Sequence, residues 1–306
     1  MRQTSSGESA PSRRSFILAG HQHEAPPVAP GLYVVATPIG NLRDITLRAL
    51  ETLAGVDQIA CEDTRVTLKL LDHYGIKKPL IQYHEHNAVA IRPQILAALT
   101  GGTRIALVSD AGTPLISDPG FKLVREVREA GLSVIAIPGA SSVLAALASA
   151  GLPTDRFFFE GFLSAKQNSR RNRIGELARI PASLVFFETG PRLAAALGDL
   201  AEGLPGREAA VCRELTKLHE EVRRGSLTDL AAHYADAADP RGEIVVVVGP
   251  PIETGPPSED ELDAMLRDAL TRGSVKDAVA EVASISGLGR KEVYRRALEL
   301  SEGRDG

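Results

Sequence analysis

The stretch Leu107-Val108-Ser109-Asp110-Ala111-Gly112-Thr113-Pro114-Leu115-Ile116-Ser117-Asp118-Pro119-Gly120 limits the fold more than any other part of the chain. The run Arg104–Val108 has the length and apolar character of a buried strand. It opens into a loop holding two Gly and two Pro. Asp118 before Pro119 predicts a helix start, with Asp as N-cap and Pro at the first helical position. Phe121, Val124 and Val127 then supply an apolar stripe. Strand, long loop and helix form the unit of an open α/β sheet, whose ligands gather at the carboxyl ends of the strands. An ordinary βα connection is shorter, about 2–6 residues, so the length favours a binding loop over a plain turn.

The same alternation recurs through residues 31–151. Further strands are predicted at 32–37, 57–61, 80–83 and 132–137, and helical spacing follows them, as in Leu42, Ile45, Ala49 and Leu53. This makes a mostly parallel sheet with helices on both faces. Gly151-Leu152-Pro153-Thr154 marks a boundary. A second α/β domain is predicted over 152–250, with strands at 156–160, 183–188, Glu208–Arg213 and Glu243–Val248 and helices near 167–179, 191–202 and 226–236. Residues 251–257 read as a stiff Pro-rich linker. Residues 258–306 read as helix only: Val275, Val279 and Val282 mark one helix, Val293, Ala297 and Leu300 another, and Gly287-Leu288-Gly289 turns between them. That is a helix-turn-helix-like hairpin, suited to packing or to nucleic-acid binding.

Residues 1–30 read as a flexible polar tail. Ser12-Arg13-Arg14-Ser15-Phe16-Ile17-Leu18 imitates a twin-arginine export signal, but His21-Gln22-His23-Glu24 cuts its apolar region short. Cys61 and Cys212, the only cysteines, form neither a metal-ligand spacing nor a disulfide framework, which suits a reducing cytoplasm. The net charge of −4 excludes a basic field over the whole protein, so any nucleic-acid contact needs a local patch. Such a patch is offered by Lys166, Arg170, Arg171, Arg173 and Arg179, where Glu176 is the only nearby acid. A solvated helix face is the competing reading. A second basic group, Arg290, Lys291, Arg295 and Arg296, sits in an acidic surrounding.

The usual cofactor signatures are missing. No G-x-G-x-x-G follows the first strand, and there is no P-loop, G-x-S-x-G elbow or H-E-x-x-H helix. Instead the loops at 37–41, 110–118 and 138–142, all after strands of the first sheet, are rich in Gly, Pro, Ser and Thr. Loops of this kind bring backbone N–H and C=O groups close to a polar ligand.

Thr37-Pro38-Ile39-Gly40-Asn41-Leu42, Glu62-Asp63-Thr64-Arg65, Tyr83-His84-Glu85-His86-Asn87, the 109–120 stretch and Ile137-Pro138-Gly139-Ala140-Ser141 together resemble the tetrapyrrole-methylase superfamily. The likeness is closer to its ribosomal RNA branch, the cytidine-2′-O-methyltransferases of 16S rRNA. It continues through Glu160-Gly161-Phe162-Leu163, Phe187-Glu188-Thr189-Gly190-Pro191-Arg192, Arg213-Glu214-Leu215-Thr216-Lys217 and Arg241-Gly242-Glu243, and so covers about residues 31–250. Ala88 and Ser164 depart from the pattern of that branch, which usually has Glu and Pro there. The resemblance implies S-adenosylmethionine in a cleft between two α/β domains, a homodimer, and 16S rRNA as substrate in a small subunit or its late precursor. It implies cofactor contacts from Pro38, Gly40, Asp110, Gly112, Thr113, Pro114, Ser141, Ser142 and Phe162, with no metal. Two alternatives stay open: a C-methyltransferase of tetrapyrrole biosynthesis on the same fold, and a non-catalytic nucleic-acid-binding regulator that senses the cofactor.

Methyl transfer to a ribose hydroxyl needs alignment and a group to take the proton. Asp63, His84, Glu85 and His86 lie at strand ends of the first half, and Glu188, Arg192, Glu214 and Lys217 in the second. Histidine titrates near neutrality without help. His84 or His86 is therefore the expected proton acceptor, with Lys217 or Arg192 steadying the substrate. Lysine can act as a base only where burial or a cation lowers its pKa.

Overall fold

The computed structural model describes residues 14–118, 120–251 and 258–302. The described chain enters through a hairpin of Ser15–Leu18 (β1) and His21–Glu24 (β2). Ala19 and Gly20 both have positive φ, 51° and 82°, the two-residue turn that matches strand twist. Phe16 is buried in the core beside Tyr74, and Ile17 N–H donates to Tyr74 C=O at 2.7 Å. This corrects the expected tail for residues 15–24: the buried Phe16, the apolar Ile17 and Leu18 beside it and a favourable turn fix a segment whose second strand is polar. Residues 1–13 of that expectation lie outside the described residues.

Five strands follow, Gly31–Val35 (β3), Gln58–Cys61 (β4), Leu80–Gln82 (β5), Arg104–Val108 (β6) and Val134–Ile137 (β7). They form a wholly parallel sheet in the order β5-β4-β6-β3-β7. Along β6 the side chains alternate between two cores: Ala106 and Val108 join one, Ile105 and Leu107 the other. A strand buried on both faces needs apolar residues throughout, which is why its sequence reads as an unbroken run. Leu47–Gly55 (α1), Thr64–His73 (α2), Ala88–Thr100 (α3), Phe121–Glu129 (α4) and Ser142–Ala150 (α5) complete this half. Thr46, Asp63 and Ser141 cap α1, α2 and α5 by accepting backbone N–H bonds. The start of α4 differs from expectation. Gly120, at φ 139°, is its N-cap, while Asp118 lies two residues outside and half-buried. Pro119 is outside the described residues.

The second sheet contains Phe157–Phe162 (β8), Ser183–Thr189 (β9), Glu208–Arg213 (β10), Glu221–Ser226 (β11) and Glu243–Val248 (β12), in the order β11-β10-β12-β9-β8. Only β8 and β9 run parallel; the other pairs are antiparallel. Gln167–Leu177 (α6), Gly190–Gly203 (α7) and Leu227–Asp236 (α8) cover one face. The opposite face receives α5 from the first half: Val143, Ala146, Leu147 and Ala150 pack with Val185, Ala210, Cys212, Val245 and Val247. The predicted boundary at Gly151 is real as a left-handed helix end. Yet α5, which follows β7 of the first sheet, packs on the second, and 31–151 and 152–250 share one compact body rather than separating into two.

Residues 258–302 form a separate compact unit of Glu259–Arg272 (α9), Val275–Ser286 (α10) and Arg290–Glu302 (α11). Leu262, Leu266, Val279, Val282, Val293 and Ala297 build its core. Gly287 turns the chain between α10 and α11 at φ 68°. The expected hairpin is present and gains a third helix, α9, started by a Ser258–Glu261 capping box. Residues 252–257 of the expected linker lie outside the described residues.

Candidate active site

The loops after β3, β6 and β7 are tied to one another. Thr37 and Gly112 pair their backbones in an isolated bridge. The Thr37 hydroxyl donates to Ser109 C=O at 3.2 Å, and the Thr113 hydroxyl donates to Ala140 C=O at 3.4 Å. Gly112 occupies the left-handed region at φ 73°, and so do Leu115 (76°) and Ser117 (63°). Each non-glycine residue held there costs about 1–2 kcal/mol, a strain that persists only where surrounding contacts fix it.

These loops form one wall of a cavity with about 1070 Å³ of empty space, open solvent included. Ile39, Gly112, Thr113, Asp118, Ser141 and Ser142 come from the first half; Phe162, Phe187, Glu188, Leu215 and Glu243 come from the second. Phe162 and Phe187 meet edge to face, with centroids 5.5 Å apart. Among the described residues no Lys, Arg or His lines this cavity, while Asp118, Glu188 and Glu243 do. Its polar wall therefore favours a cationic ligand.

The three carboxylates differ. Glu188 is buried, accepts from Thr189 N–H at 2.8 Å and lies 3.3 Å from Arg192 Nε. Glu243 faces Lys217. Asp118 has no cationic partner among the described residues. Burial pushes its carboxyl above the usual range and Asp110 adds to the rise, while a hydrogen bond to Ser109 opposes it. Glu62 is raised too, by burial and then by Asp118, Asp110 and Asp63.

A second cavity adjoins the first and shares Ile39, Ala111 and Glu243 with it. Pro38, Gly40 and Asp110 line it, along with Lys69 and Lys217. Lys217 Nζ donates to Glu214 at 2.8 Å and to Glu243 at 2.9 Å. Burial opposes its charge, but the two carboxylates outweigh burial and raise its pKa. Lys217 is thus held as a cation by two carboxylates, which opposes the basic role weighed for it. Glu214 (φ 49°) and Thr216 (φ 67°) hold the backbone bend that presents it. The Lys217 stem lies directly over Gly40, where a Cβ would collide with it.

Among the expected cofactor residues, Gly112, Thr113, Ser141, Ser142 and Phe162 meet at the larger cavity; Pro38, Gly40 and Asp110 line the adjoining one; Pro114 lines neither. His84 and His86 also line neither. Strand β5 is the sheet edge, and the turn after it serves α3. His84 N–H donates to Asn87 Oδ1 at 2.9 Å, and Ala88 N–H to His84 C=O. His84 Nδ1 is buried without a hydrogen-bond partner, so nothing orients the imidazole as a base requires. The expected histidine proton acceptor, His84 or His86, stands outside both cavities. Arg192 acts on Glu188 and donates to Leu163 C=O at 2.5 Å, which makes it a support of the wall. Asp118, read as a helix cap, and Glu243 lay inside the motif stretches without being marked as site residues; only the fold brings them together.

The arginines of the α6 basic cluster are paired within the fold. Arg170 is buried and bonded to the equally buried Asp199 at 2.6 Å. Arg171 pairs with Asp199 and Glu202, and Arg173 with Glu160 and Glu176. The sequence places only Glu176 near these arginines; α7 and β8 bring Asp199, Glu202 and Glu160 to them. Lys166 remains exposed at the start of α6.

The model of the Tetrapyrrole (Corrin/Porphyrin) Methylases matches residues 31–231, and that of the RsmI C-terminal HTH domain matches residues 256–301. A "Ribosomal RNA small subunit methyltransferase I" of Erythrobacter litoralis is 55% identical over 92% of this chain and 99% of its own. Its counterpart in Mesorhizobium japonicum is 52% identical over 91% and 95%, and that of Escherichia coli O157:H7 is 44% identical over 91% and 98%. Among solved structures, diphthine synthase superposes with a TM-score of 0.56 at 17% identity, covering 71% of this chain and 89% of that one. A uroporphyrin-III C-methyltransferase of Thermus thermophilus, complexed with S-adenosyl homocysteine, gives 0.51 at 19% identity, covering 72% and 97%. These structures share the fold. The sequence relatives go further: this chain belongs to the tetrapyrrole methylase superfamily and, within it, to the ribosomal RNA small subunit methyltransferase I family.

Proposed function

We propose that this chain transfers a methyl group from S-adenosylmethionine to the ribose 2′-oxygen of a cytidine in 16S rRNA. The observation that carries the reading is the larger cavity, with three carboxylates and, among the described residues, no cation on its wall. S-adenosylmethionine is a sulfonium with an α-ammonium group, and both positive centres are suited by such a wall. The apolar side chains of Ile39, Phe162 and Leu215 would hold its adenine, while Gly112 and Ser142 offer backbone and hydroxyl groups to its polar parts. When bound, the cofactor supplies the methyl group.

The chain's own residues do the rest. Lys217 and Lys69 in the adjoining cavity offer positive charge to the phosphates of an entering nucleotide. Asp118 takes the proton of the attacking hydroxyl: it faces the cofactor cavity and has no cationic partner among the described residues. The substrate is a small subunit or its late precursor, the working form a homodimer, and the site of action the cytoplasm. No described helix is long and apolar enough to cross a membrane.

Calorimetry and a transfer assay test this reading. Wild-type protein is expected to bind S-adenosylmethionine at one site per chain and to move labelled methyl onto small-subunit rRNA. Label passing to a uroporphyrinogen and not to rRNA would favour the tetrapyrrole alternative.

A further inference from the structure

The helical unit of residues 258–302 is acidic as a whole, with ten Asp and Glu against seven Lys and Arg. Its charges are nevertheless segregated. Asp263 and Glu299 hold Arg296 at 2.6 and 2.8 Å, and Asp263 also holds Arg267. Asp268 and Glu281 hold Arg272 at 3.0 and 2.9 Å. The remaining cations, Lys276, Arg290, Lys291 and Arg295, are exposed and have no ion pair among the described residues.

Three of those four share one groove. Lys276, Val279 and Ala280 of α10 face Arg290, Lys291 and Tyr294 of α11 across it. Arg290 and Tyr294 stand four residues apart on one helix face, as do Lys276 and Ala280. Tyr294 is 49% exposed, so its ring is open to a ligand while Val279 forms an apolar floor. An aromatic platform ringed by unpaired cations is the chemistry of single-stranded nucleic acid: a base stacks on the ring and the cations track the backbone. A helix laid in a groove is the usual duplex mode of helix-turn-helix units. The deep, narrow major groove of A-form RNA does not admit that mode, whereas unpaired bases in loops are open to stacking.

We propose that the α10–α11 groove binds an unpaired nucleotide of RNA, its base stacked on Tyr294 and the flanking phosphates held by Lys276, Arg290 and Lys291. The proposal rests on the reading of ribosomal RNA as substrate. It gives the chain a second RNA contact, carried by the helical unit.

The test uses the full chain and a labelled single-stranded RNA oligonucleotide of mixed sequence, with anisotropy read over a range of salt. Tyr294→Ala is expected to weaken binding about ten-fold or more, and Tyr294→Phe to restore it. Lys276→Gln with Lys291→Gln is expected to lower the slope of log K against log salt by about 1.4, two phosphate contacts on a single strand. In turnover the same variants raise KM for rRNA, while kcat at saturation and cofactor affinity stay at the parent values. Parent affinity and slope in both Tyr294→Ala and the double variant would overturn the proposal. So would a loss seen with ribosomal particles alone and not with the oligonucleotide, which would put a ribosomal protein in the groove. The oligonucleotide assay needs no turnover, so a wild-type chain that fails to methylate rRNA overturns the functional reading and leaves this result legible by itself.

Discussion

Thr37 and Gly112 exchange both of their backbone hydrogen bonds, at 2.8 and 3.1 Å, and so clamp the loop after β6 to the end of β3. Gly112 sits at φ 73°, and a Cβ added there would lie 3.4 Å from Ile39 Cγ2. A side chain at this position must adopt a left-handed backbone, at about 1–2 kcal/mol, or break the clamp. Gly112→Val is therefore expected to weaken S-adenosylmethionine binding at least ten-fold by calorimetry while the protein stays folded by circular dichroism. Unchanged affinity would separate this loop from the cofactor.

Asp118→Asn tests the proton acceptor. An acceptor works in its ionised form, so kcat of the parent falls as pH drops through the Asp118 pKa, which burial places above the ordinary 3.8. Loss of a general base costs typically ~10²–10⁴-fold. The variant is expected to lose that much in single-turnover rate, lose the acid limb and keep its cofactor affinity. A collapse of cofactor affinity with a normal rate at saturation would make Asp118 a cofactor ligand instead.

Lys217 is expected to stay protonated throughout the working range, because Glu214 and Glu243 raise its pKa. Lys217→Arg keeps the charge and is expected to retain most activity. Lys217→Met leaves two carboxylates facing one another and is expected to lose about ten-fold or more. An alkaline activity limb that vanishes in Lys217→Arg would restore the basic role.

Arg170 and Asp199 carry stability. Both are buried, and removal of one partner from a buried pair costs about 3–5 kcal/mol. Arg170→Ala is expected to lower Tm sharply, and its RNA affinity, measured below that Tm, is expected to keep the parent salt slope. A normal Tm with a reduced slope would return Arg170 to an RNA surface.

The same pair predicts an acid sensitivity. Burial opposes ionisation of Asp199, but bonds from Arg171, Arg170 and Gln167 outweigh it and hold its pKa below the ordinary 3.8. A carboxyl with a depressed folded pKa adds stability above its unfolded pKa and loses it as pH falls through the folded one. Denaturant titrations of the parent are expected to show stability falling below about pH 4. Asp199→Asn, weaker at neutral pH, is expected to change less over that window.

The parts of the fold legible in the sequence are those whose burial is complete. β6, β10 and β12 occupy the predicted residues because each is packed on both faces and must be apolar throughout. β11 escaped because an edge strand reading Glu-Val-Arg-Arg-Gly-Ser has little apolar signal. α3 escaped because Pro93 interrupts it and its apolar residues lie all round. The antiparallel pairing of the second sheet depends on contacts between distant segments, which periodicity does not carry. At the site, loop composition marked Gly112, Thr113, Ser141 and Ser142, since glycine and small polar residues have few other uses there. Asp118 was read as a helix cap because Asp-Pro is a common start signal, whereas Gly120 took that place. The salt bridges that neutralise Arg170, Arg171 and Arg173 come from α7, β8 and α6 itself, two of them far off in sequence.

The account's central claim is a methyl group on a ribose oxygen of small-subunit RNA, and alkaline hydrolysis of the product reads it directly. RNA is cleaved by its own 2′-hydroxyl, so a 2′-O-methyl group protects the linkage that follows it. After incubation of the full chain with labelled S-adenosylmethionine and small ribosomal subunits, the expected product is one alkali-resistant linkage whose label is recovered as 2′-O-methylcytidine. Label on a base with every linkage alkali-labile, or no label in the RNA, would contradict the account.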